Sequence, residues 1–281
     1  MHRVVTLALP DVVAFDLAIP AQIFGHHTER HRYEFVVCAR HQGPVPTTTG
    51  FDIHAPVGLD ALESADTVIV PGFLPLDDPS QDVLDALRTA AERGARIASV
   101  CIGAFALAAA GLLDGGAATT HWEHAEELGL RFPDVHVRPD VLFVDEGQIL
   151  TSAGIAAGID LCLHMYRNDH GAAAAADVAR RMVSAVHRPG GQAQFMSRPL
   201  PESGSHLAAT CAWAIERIDE PLTVDDLASY SGYAPRTFAR HFRDETGIPP
   251  LRWLTAQRLL EARRLLEATD LGVDEVARRC G

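Results

Sequence analysis

Three residues in this 281-residue chain have the types and spacing of a chemical site. Arg96–Val100 followed by CIGAFALAAAGLL reads as a strand, a sharp turn and a helix, with Cys101 at the turn. Such an elbow lifts a nucleophile above a sheet and sets it close to helix N–H groups that stabilise a thiolate. Gly103 and Ala104 are small enough to permit the tight approach. Twenty residues on, ATTHWEHAEEL sets His121 at the end of a strand-like stretch, and Asp16 opens the helix after the first strand. All three residues have a place at the carboxyl ends of parallel strands, where open α/β sheets put their sites. The competing reading of Cys101 is a small buried hydrophobe behind a core strand. That of His121 is a satisfied surface-loop histidine. If Cys101 is activated, mild alkylation or oxidation picks it out over Cys38 and Cys162. His121 and His124, three apart, suggest a metal pair but lack a third ligand, so no metal and no cofactor is expected.

A second constellation lies near the other end, in LTVDDLASYSGYAPRTFARHFRDETG, residues 222–247. Thr223 caps a first helix, with Asp226 in the capping-box position and Leu227 and Ala228 on the buried face. Ser231-Gly232-Tyr233 makes a tight turn in which Gly232 is free to take positive φ. Pro235 suits the first turn of a second helix. Phe238 and Phe242, four apart, face the core of that helix, which leaves Arg236, Thr237, Ala239, Arg240 and Arg243 for solvent or a ligand. Three arginines with no acid between residues 234 and 243 form a positive stripe. A helix entering a major groove needs such Arg forks for guanine edges and phosphates. The alternative is a solvated helix in a regulatory bundle.

The elements that must carry these residues follow from pattern. Val4–Leu9, Tyr33–Ala39, Asp66–Val70 and Arg96–Val100 are apolar runs of strand length. Between them Asp16–His26, Ser80–Arg93 and Gly103–Ala110 are helical, with Asp16 and Ser80 as expected N-caps and Gly94 and Gly111 as stops. Thr47–His54 and Asp140–Thr151 read as hairpins, the second turning at Glu146-Gly147, and Ile155–Tyr166 and Ala172–Val186 as closing helices. The fold class is therefore α/β, a parallel sheet flanked by helices over residues 1–186. Residues 187–205, HRPGGQAQFMSRPLPESGS, are Pro-, Gly- and Ser-rich and read as a linker. Residues 206–281 are all helical, with helices at about 206–219, 223–230, 234–244, 249–268 and 273–280.

Composition is that of an ordinary globular chain, with 47% hydrophobic and 22% charged residues. No uninterrupted apolar run reaches the ~18–20 residues of a membrane span. The apolar start is broken by Pro10, Asp11, Asp16 and Pro20, unlike a signal peptide, so a cytoplasmic location is expected. Five scattered cysteines without a CxxC pair argue against a disulfide framework or a cysteine zinc site. Every basic residue other than histidine is Arg, and the net charge is −13. Neither residues 1–201 nor residues 202–281 are basic overall, so DNA binding rests on the local stripe.

Both constellations carry a family resemblance. GYAPRTFARHFRDETGIPPLRWLTAQRLLEARRLLEATDLGVDEVARRCG is similar to the DNA-binding module of AraC/XylS-type transcription regulators, two helix-turn-helix units joined by a long helix, here Leu251–Ala268. The resemblance places Arg236, Ala239 and Arg240 at base-contacting positions of the first recognition helix. Asp270–Gly281 matches only the opening of the second unit, so weak and strongly salt-dependent binding is expected of residues 1–281 alone, with Val273, Val276 and Ala277 exposed. The first ~190 residues resemble a PfpI-like domain of the class I glutamine amidotransferase superfamily, as found in GlxA-type regulators. The strings that carry this are FDLAIPAQIFG, VIVPGF, VCIGAFALAAAGLLDGGAATTHW, FVDEGQILTSAGIAAGIDLCLHMY and HRPGGQAQF. The resemblance implies a pocket lined by Cys101, Asp16 and His121, with the backbone N–H groups of Gly72 and Ile102 as an oxyanion-hole equivalent. Hydrolytic members tend to carry histidine after the cysteine, where this chain has Ile102. The implied protein is a DNA-binding transcription regulator, not an enzyme, whose PfpI-like domain senses a small metabolite, a nitrogenous one by the resemblance, and forms a homodimer. A rival, an isocyanide-hydratase-like enzyme using Cys101, leaves residues 206–281 without a purpose. A dimerisation scaffold with an inert pocket is the third reading.

Overall fold

A computed structural model describes residues 1–26, 32–184, 188, 190–191, 206–246, 248–269 and 271–281. Most of the stretch read as a linker lies outside them. The chain forms two compact units, Met1–Met196 and Ser197–Gly281.

In the first unit, β1 (His2–Leu7) and β2 (Tyr33–Cys38) are followed by an antiparallel hairpin of β3 (Gly43–Pro46) and β4 (Asp52–Ala55). Then come β5 (Thr67–Val70), β6 (Arg96–Val100), the short parallel pair β7 (Ala117–Ala118) and β8 (His136–Val137), and finally β9 (Phe143–Asp145) and β10 (Ile149–Ser152). Six strands make one sheet in the order β2-β1-β5-β6-β10-β9, parallel except for the edge strand β9. The helices are α1 (Ala14–Phe24), α2 (Gln81–Glu92), α3 (Ala104–Ala109), α4 (Ala125–Arg131) and α5 (Ala156–Arg181).

The central strands are buried on both faces, as a helix-covered parallel sheet requires: Val68, Ile69, Val70, Ile97 and Ala98 have no exposed surface. The hairpin read over Thr47–His54 is present, but its strands are Gly43–Pro46 and Asp52–Ala55, so the expected range covers its turn. The two closing helices run together as α5, broken at Gly171 (φ 84°, ψ 166°), a conformation that suits glycine. Gly94 and Gly111 end their helices with positive φ, as read. Asp16 does not cap its helix. Val13 holds that position, and Asp16 sits in the first turn, fully buried and turned toward another element.

In the second unit α6 (His206–Glu216), α7 (Val224–Ser231), α8 (Pro235–Thr246), α9 (Pro250–Ala268) and α10 (Val273–Arg279) follow one another. Thr223 and Asp226 make the full capping box, and Gly232 takes φ 75° at the end of α7. Phe238, Phe242 and Trp253 are completely buried, with Phe242 edge-on to Trp253 at 5.6 Å between centroids. On α10, Val273 and Ala277 are exposed as expected. Val276 is not: together with Cys280 it packs against Leu265 of α9. No helix among the described residues is long and apolar enough to cross a membrane.

Candidate functional site

Because β1, β5, β6 and β10 are neighbours in the sheet, the segments leaving their carboxyl ends converge. They bring together Asp16 after β1, Gly72 after β5, Cys101 and Ile102 after β6, and Gly154 and Ile155 after β10. Cys101 has φ 59°, the strained elbow that its sequence context predicts. Gly103 is required beneath it, because a Cβ there would stand 2.1 Å from the Val70 carbonyl oxygen. The Thr120 hydroxyl donates to the Cys101 carbonyl at 3.0 Å and ties the elbow to the segment that carries His121.

Asp16 accepts a hydrogen bond from the Ile155 N–H at 3.0 Å through Oδ1, so it serves the start of α5 and not of α1. Its Oδ2 is buried without a hydrogen-bond partner. Around that oxygen there is no spare room, since a Cβ on Gly72 would lie 2.8 Å from it. Burial pushes the Asp16 carboxyl above its ordinary pKa, against the pull of the Ile155 N–H and the neighbouring Cys101 and Gly72. Burial likewise drives the Cys101 thiol far upward, and the Asp16 charge adds to the rise while the Ile102 N–H only eases it. This direction is opposite to that of an activated thiolate. All five cysteines are buried, Cys38 and Cys211 being pushed up to about 12 by desolvation first of all. Mild iodoacetamide at neutral pH is therefore expected to leave Cys101 as unmodified as Cys38 and Cys162, in contrast to the selectivity an activated elbow implies. Peptide mapping checks this, and preferential labelling of Cys101 refutes the protonated, shielded thiol.

The sign of the Asp16 shift gives a pH dependence. With its folded pKa raised, the native state keeps a proton that the unfolded chain has lost, so stability falls as pH rises from the ordinary carboxylate range through the raised value. Asp16→Asn keeps an acceptor for Ile155 and removes the buried charge. A higher Tm than wild type at pH 7 is expected, the gap closing as pH falls below ~4, the ordinary Asp pKa. A gap that does not narrow on acidification, in paired thermal melts, contradicts the assignment.

His121 does not join this cluster directly. Among the described residues no hydrogen bond links it to Cys101 or Asp16; its Nδ1 lies 3.6 Å from Glu123. Burial lowers its pKa, with Glu123 pulling the other way. His121 and Trp122 instead line a pocket of about 300 Å³ together with Leu142, Ala153, Gly154 to Ala157 and Arg188, whereas Cys101, Asp16, Gly72 and Ile102 are not among its lining residues. No metal-holding cluster is found among the described residues.

Sequence reasoning missed Arg188 and Asp160. Arg188 lies in the stretch read as linker, yet it returns to the first unit: its Nε donates to Asp160 Oδ1 at 3.0 Å and its Nη2 to Oδ2. Gly190 also returns, its carbonyl accepting from Leu142 N–H at 2.8 Å. The only sequence signal was a lone charged residue, Asp160, inside an apolar helix face.

On the second unit the turn between α7 and α8 leaves Arg236, Arg240 and Arg243 exposed, with Thr237 and Ala239 half-buried beside them. None of the three arginines has an ion-pair partner among the described residues. His241 stacks on Tyr233 at 5.3 Å and fixes the turn against the middle of α8. The capped turn holds one basic helix face outward, as a groove-entering helix requires.

An α/β sheet with a cysteine elbow, joined to a helix-turn-helix, defines the class. Residues 2–168 match the DJ-1/PfpI family, and residues 227–281 match a helix-turn-helix domain. The chain is 30% identical over 280 residues to the HTH-type transcriptional regulator CdhR of Pseudomonas aeruginosa, covering 98% of this chain and 83% of that one. It is 32% identical over 260 residues to the HTH-type transcriptional regulator GlxA of Rhizobium meliloti, covering 90% and 79%. In fold, its first unit is similar to the crystal structure of an AraC family transcriptional regulator from Pseudomonas putida, with TM-score 0.59 and 20% identity over 65% of this chain and 100% of that one. The chain belongs to the DJ-1/PfpI family, and its union of that domain with an AraC-type helix-turn-helix is that of the GlxA-type regulators.

Proposed function

We propose that this chain is a transcription regulator whose residues 206–281 bind specific DNA and whose residues 1–186 sense a small, nitrogen-containing metabolite. Arg236, Thr237, Ala239 and Arg240 face base edges and Arg243 a phosphate. The protein works in the cytoplasm as a homodimer through its first unit, which presents two helix-turn-helix units to one operator. The observation that carries the reading is the exposed arginine face of α8, without an ion-pair partner among the described residues and held out by the Thr223–Asp226 capping box and the Gly232 turn.

The pocket supports sensing over catalysis. Neither Cys101 nor Asp16 is among the residues that line it: the cysteine is shielded, the Asp16 carboxylate accepts from the Ile155 backbone N–H, and position 102 is isoleucine where an adjacent base would stand. Selection from a random duplex pool at about 0.15 M salt, the physiological range, tests the proposal. An enriched consensus, with its occupancy changed by a metabolite that also raises Tm, is the expected result. No enriched sequence overturns DNA recognition, and isonitrile hydration by the purified protein overturns the non-catalytic pocket.

A further inference from the structure

We propose that the segment carrying Arg188 and Gly190 is a latch that couples the pocket of the first unit to DNA binding by the second. This rests on the regulator reading given above and names how its two parts communicate. Through Arg188 the segment forms part of the pocket wall, and it is also the stretch of chain that leads on to residues 206–281. Two seats hold it. In one, Arg188 donates through Nε and Nη2 to both oxygens of Asp160, whose side chain is only 2% exposed, and Nη2 also reaches the Ala156 carbonyl at 3.4 Å. The pair is neutral, so Arg188 gives the pocket an ordered wall and no net charge. In the other, the Gly190 carbonyl accepts from the Leu142 N–H at 2.8 Å and the Phe143 N–H at 3.3 Å, at the start of the edge strand β9. The Leu142 carbonyl in turn accepts from the Ala153 N–H at 2.8 Å. Leu142 and Ala153 both line the pocket, so one hydrogen-bonded row runs from the segment into its wall. The second seat has no room for a side chain. A Cβ on Gly190 would stand 2.7 Å from the Phe143 carbonyl oxygen and 2.8 Å from its ring.

A segment held this way is seated or released, with little between. Withdrawal of Arg188 strands a buried carboxylate, and withdrawal of Gly190 bares N–H groups at a sheet edge. A ligand that packs on Arg188 or Leu142 meets a complete pocket only while the segment is seated, so its binding shifts the population toward that state. Seating also fixes where the chain departs for the helix-turn-helix. An ordered departure lowers the entropy lost when two tethered units settle on one operator, so the seated state binds DNA more tightly. Linkage then requires the reverse effect: DNA held by the second unit favours the seated segment in the first.

The test uses the full chain, the duplex recovered by pool selection and a matched pair of glycine variants. Gly190→Ala unseats the segment by crowding, whereas Gly191→Ala adds a methyl with nothing within 4 Å. Neither glycine is among the pocket's lining residues. Amide exchange is followed by mass spectrometry over the peptide that spans Leu142 and Phe143. In the free protein it is expected to be faster in Gly190→Ala than in Gly191→Ala, with the β10 amides unchanged. Bound duplex is expected to slow exchange of the same peptide in the wild type and to leave it unaltered in Gly190→Ala. The Kd for the duplex is expected to rise by about fivefold or more in Gly190→Ala, the lower end of allosteric couplings, and to keep its wild-type value in Gly191→Ala. Should Gly190→Ala melt below the assay temperature, Asp160→Asn/Arg188→Gln carries the same expectation, since it replaces the fork by a weaker neutral pair and leaves no buried charge. Equal exchange or equal Kd in the two glycine variants, or wild-type exchange that the duplex leaves unchanged, overturns the latch while the DNA-binding and sensor readings stand. A selection that recovers no duplex overturns DNA recognition and the latch together.

Discussion

Gly154→Ala is expected to lower the melting transition of the first unit by roughly 4–20 °C. The position has φ +84°, and a Cβ built there would lie 2.2 Å from Cys101 Cβ, 2.6 Å from its Cα and 2.7 Å from its sulfur. Left-handed backbone costs an L-residue about 1–2 kcal/mol. Overpacking a filled site adds about 1–3 kcal/mol, and here the obstructing atoms include backbone that is already strained at φ 59°. The sum, about 2–5 kcal/mol, converts at roughly 2–4 °C per kcal/mol for a unit of this size. Gly147→Ala is the control. Its φ is +86°, but nothing lies within 4 Å of the added methyl, so only the backbone part applies. Scanning calorimetry of the two variants separates crowding from conformation. A Gly154→Ala transition no lower than that of Gly147→Ala means that the elbow and the β10 turn are not in contact as described. The larger loss has a functional side too, because Gly154 and Ile155 line the pocket we propose as the effector site.

How legible each part was follows from how far apart in sequence its partners stand. The helix-turn-helix was readable because its determinants are local: Thr223 and Asp226 are three apart, Gly232 is one residue past α7, and Phe238 and Phe242 are one helical turn apart. The cysteine elbow was readable for the same reason, as a strand of buried residues running straight into small ones. Asp16 was misplaced because an acid near a helix start fits capping statistics, while its real partner, the Ile155 N–H, stands 139 residues away. Arg188 and Asp160 are 28 residues apart, and a Pro/Gly-rich stretch masks the return of the chain. His121 shares the pocket with Gly154 but makes no hydrogen bond to Cys101, a distinction no spacing carries. Charge state was equally hidden. The elbow pattern implies a thiolate, whereas burial and then the Asp16 charge push the Cys101 thiol upward.

The arginines of α8 are expected to separate into two kinds when tested on a sequence recovered by pool selection. Arg240 lies on the exposed face, one turn from Arg236, where a fork can address a base edge. Arg240→Ala is expected to cost about 1–3 kcal/mol on the selected sequence, up to roughly 150-fold in Kd, and almost nothing on a scrambled duplex beyond the loss of one charge. Arg243, one residue beyond buried Phe242 and nearer the end of the helix, suits a phosphate. Arg243→Ala is expected to weaken selected and scrambled DNA alike and to make the slope of log K against log salt shallower by about 0.9 per helix bound. The folded state is unaffected in both cases, since neither side chain packs into the Phe238–Phe242–Trp253 core, and unchanged melting of the second unit confirms it. Gel-shift titrations of both variants at several salt concentrations decide between the roles. Equal losses on both duplexes for Arg240→Ala refute base contact, and an unchanged salt slope for Arg243→Ala refutes phosphate contact. Removal of Arg236, Arg240 and Arg243 together makes the slope shallower by about 0.9, the share of the one phosphate contact, and is expected to abolish specific binding at about 0.15 M salt. If binding survives that triple change, α8 is a solvated face and the DNA interface lies elsewhere on the chain.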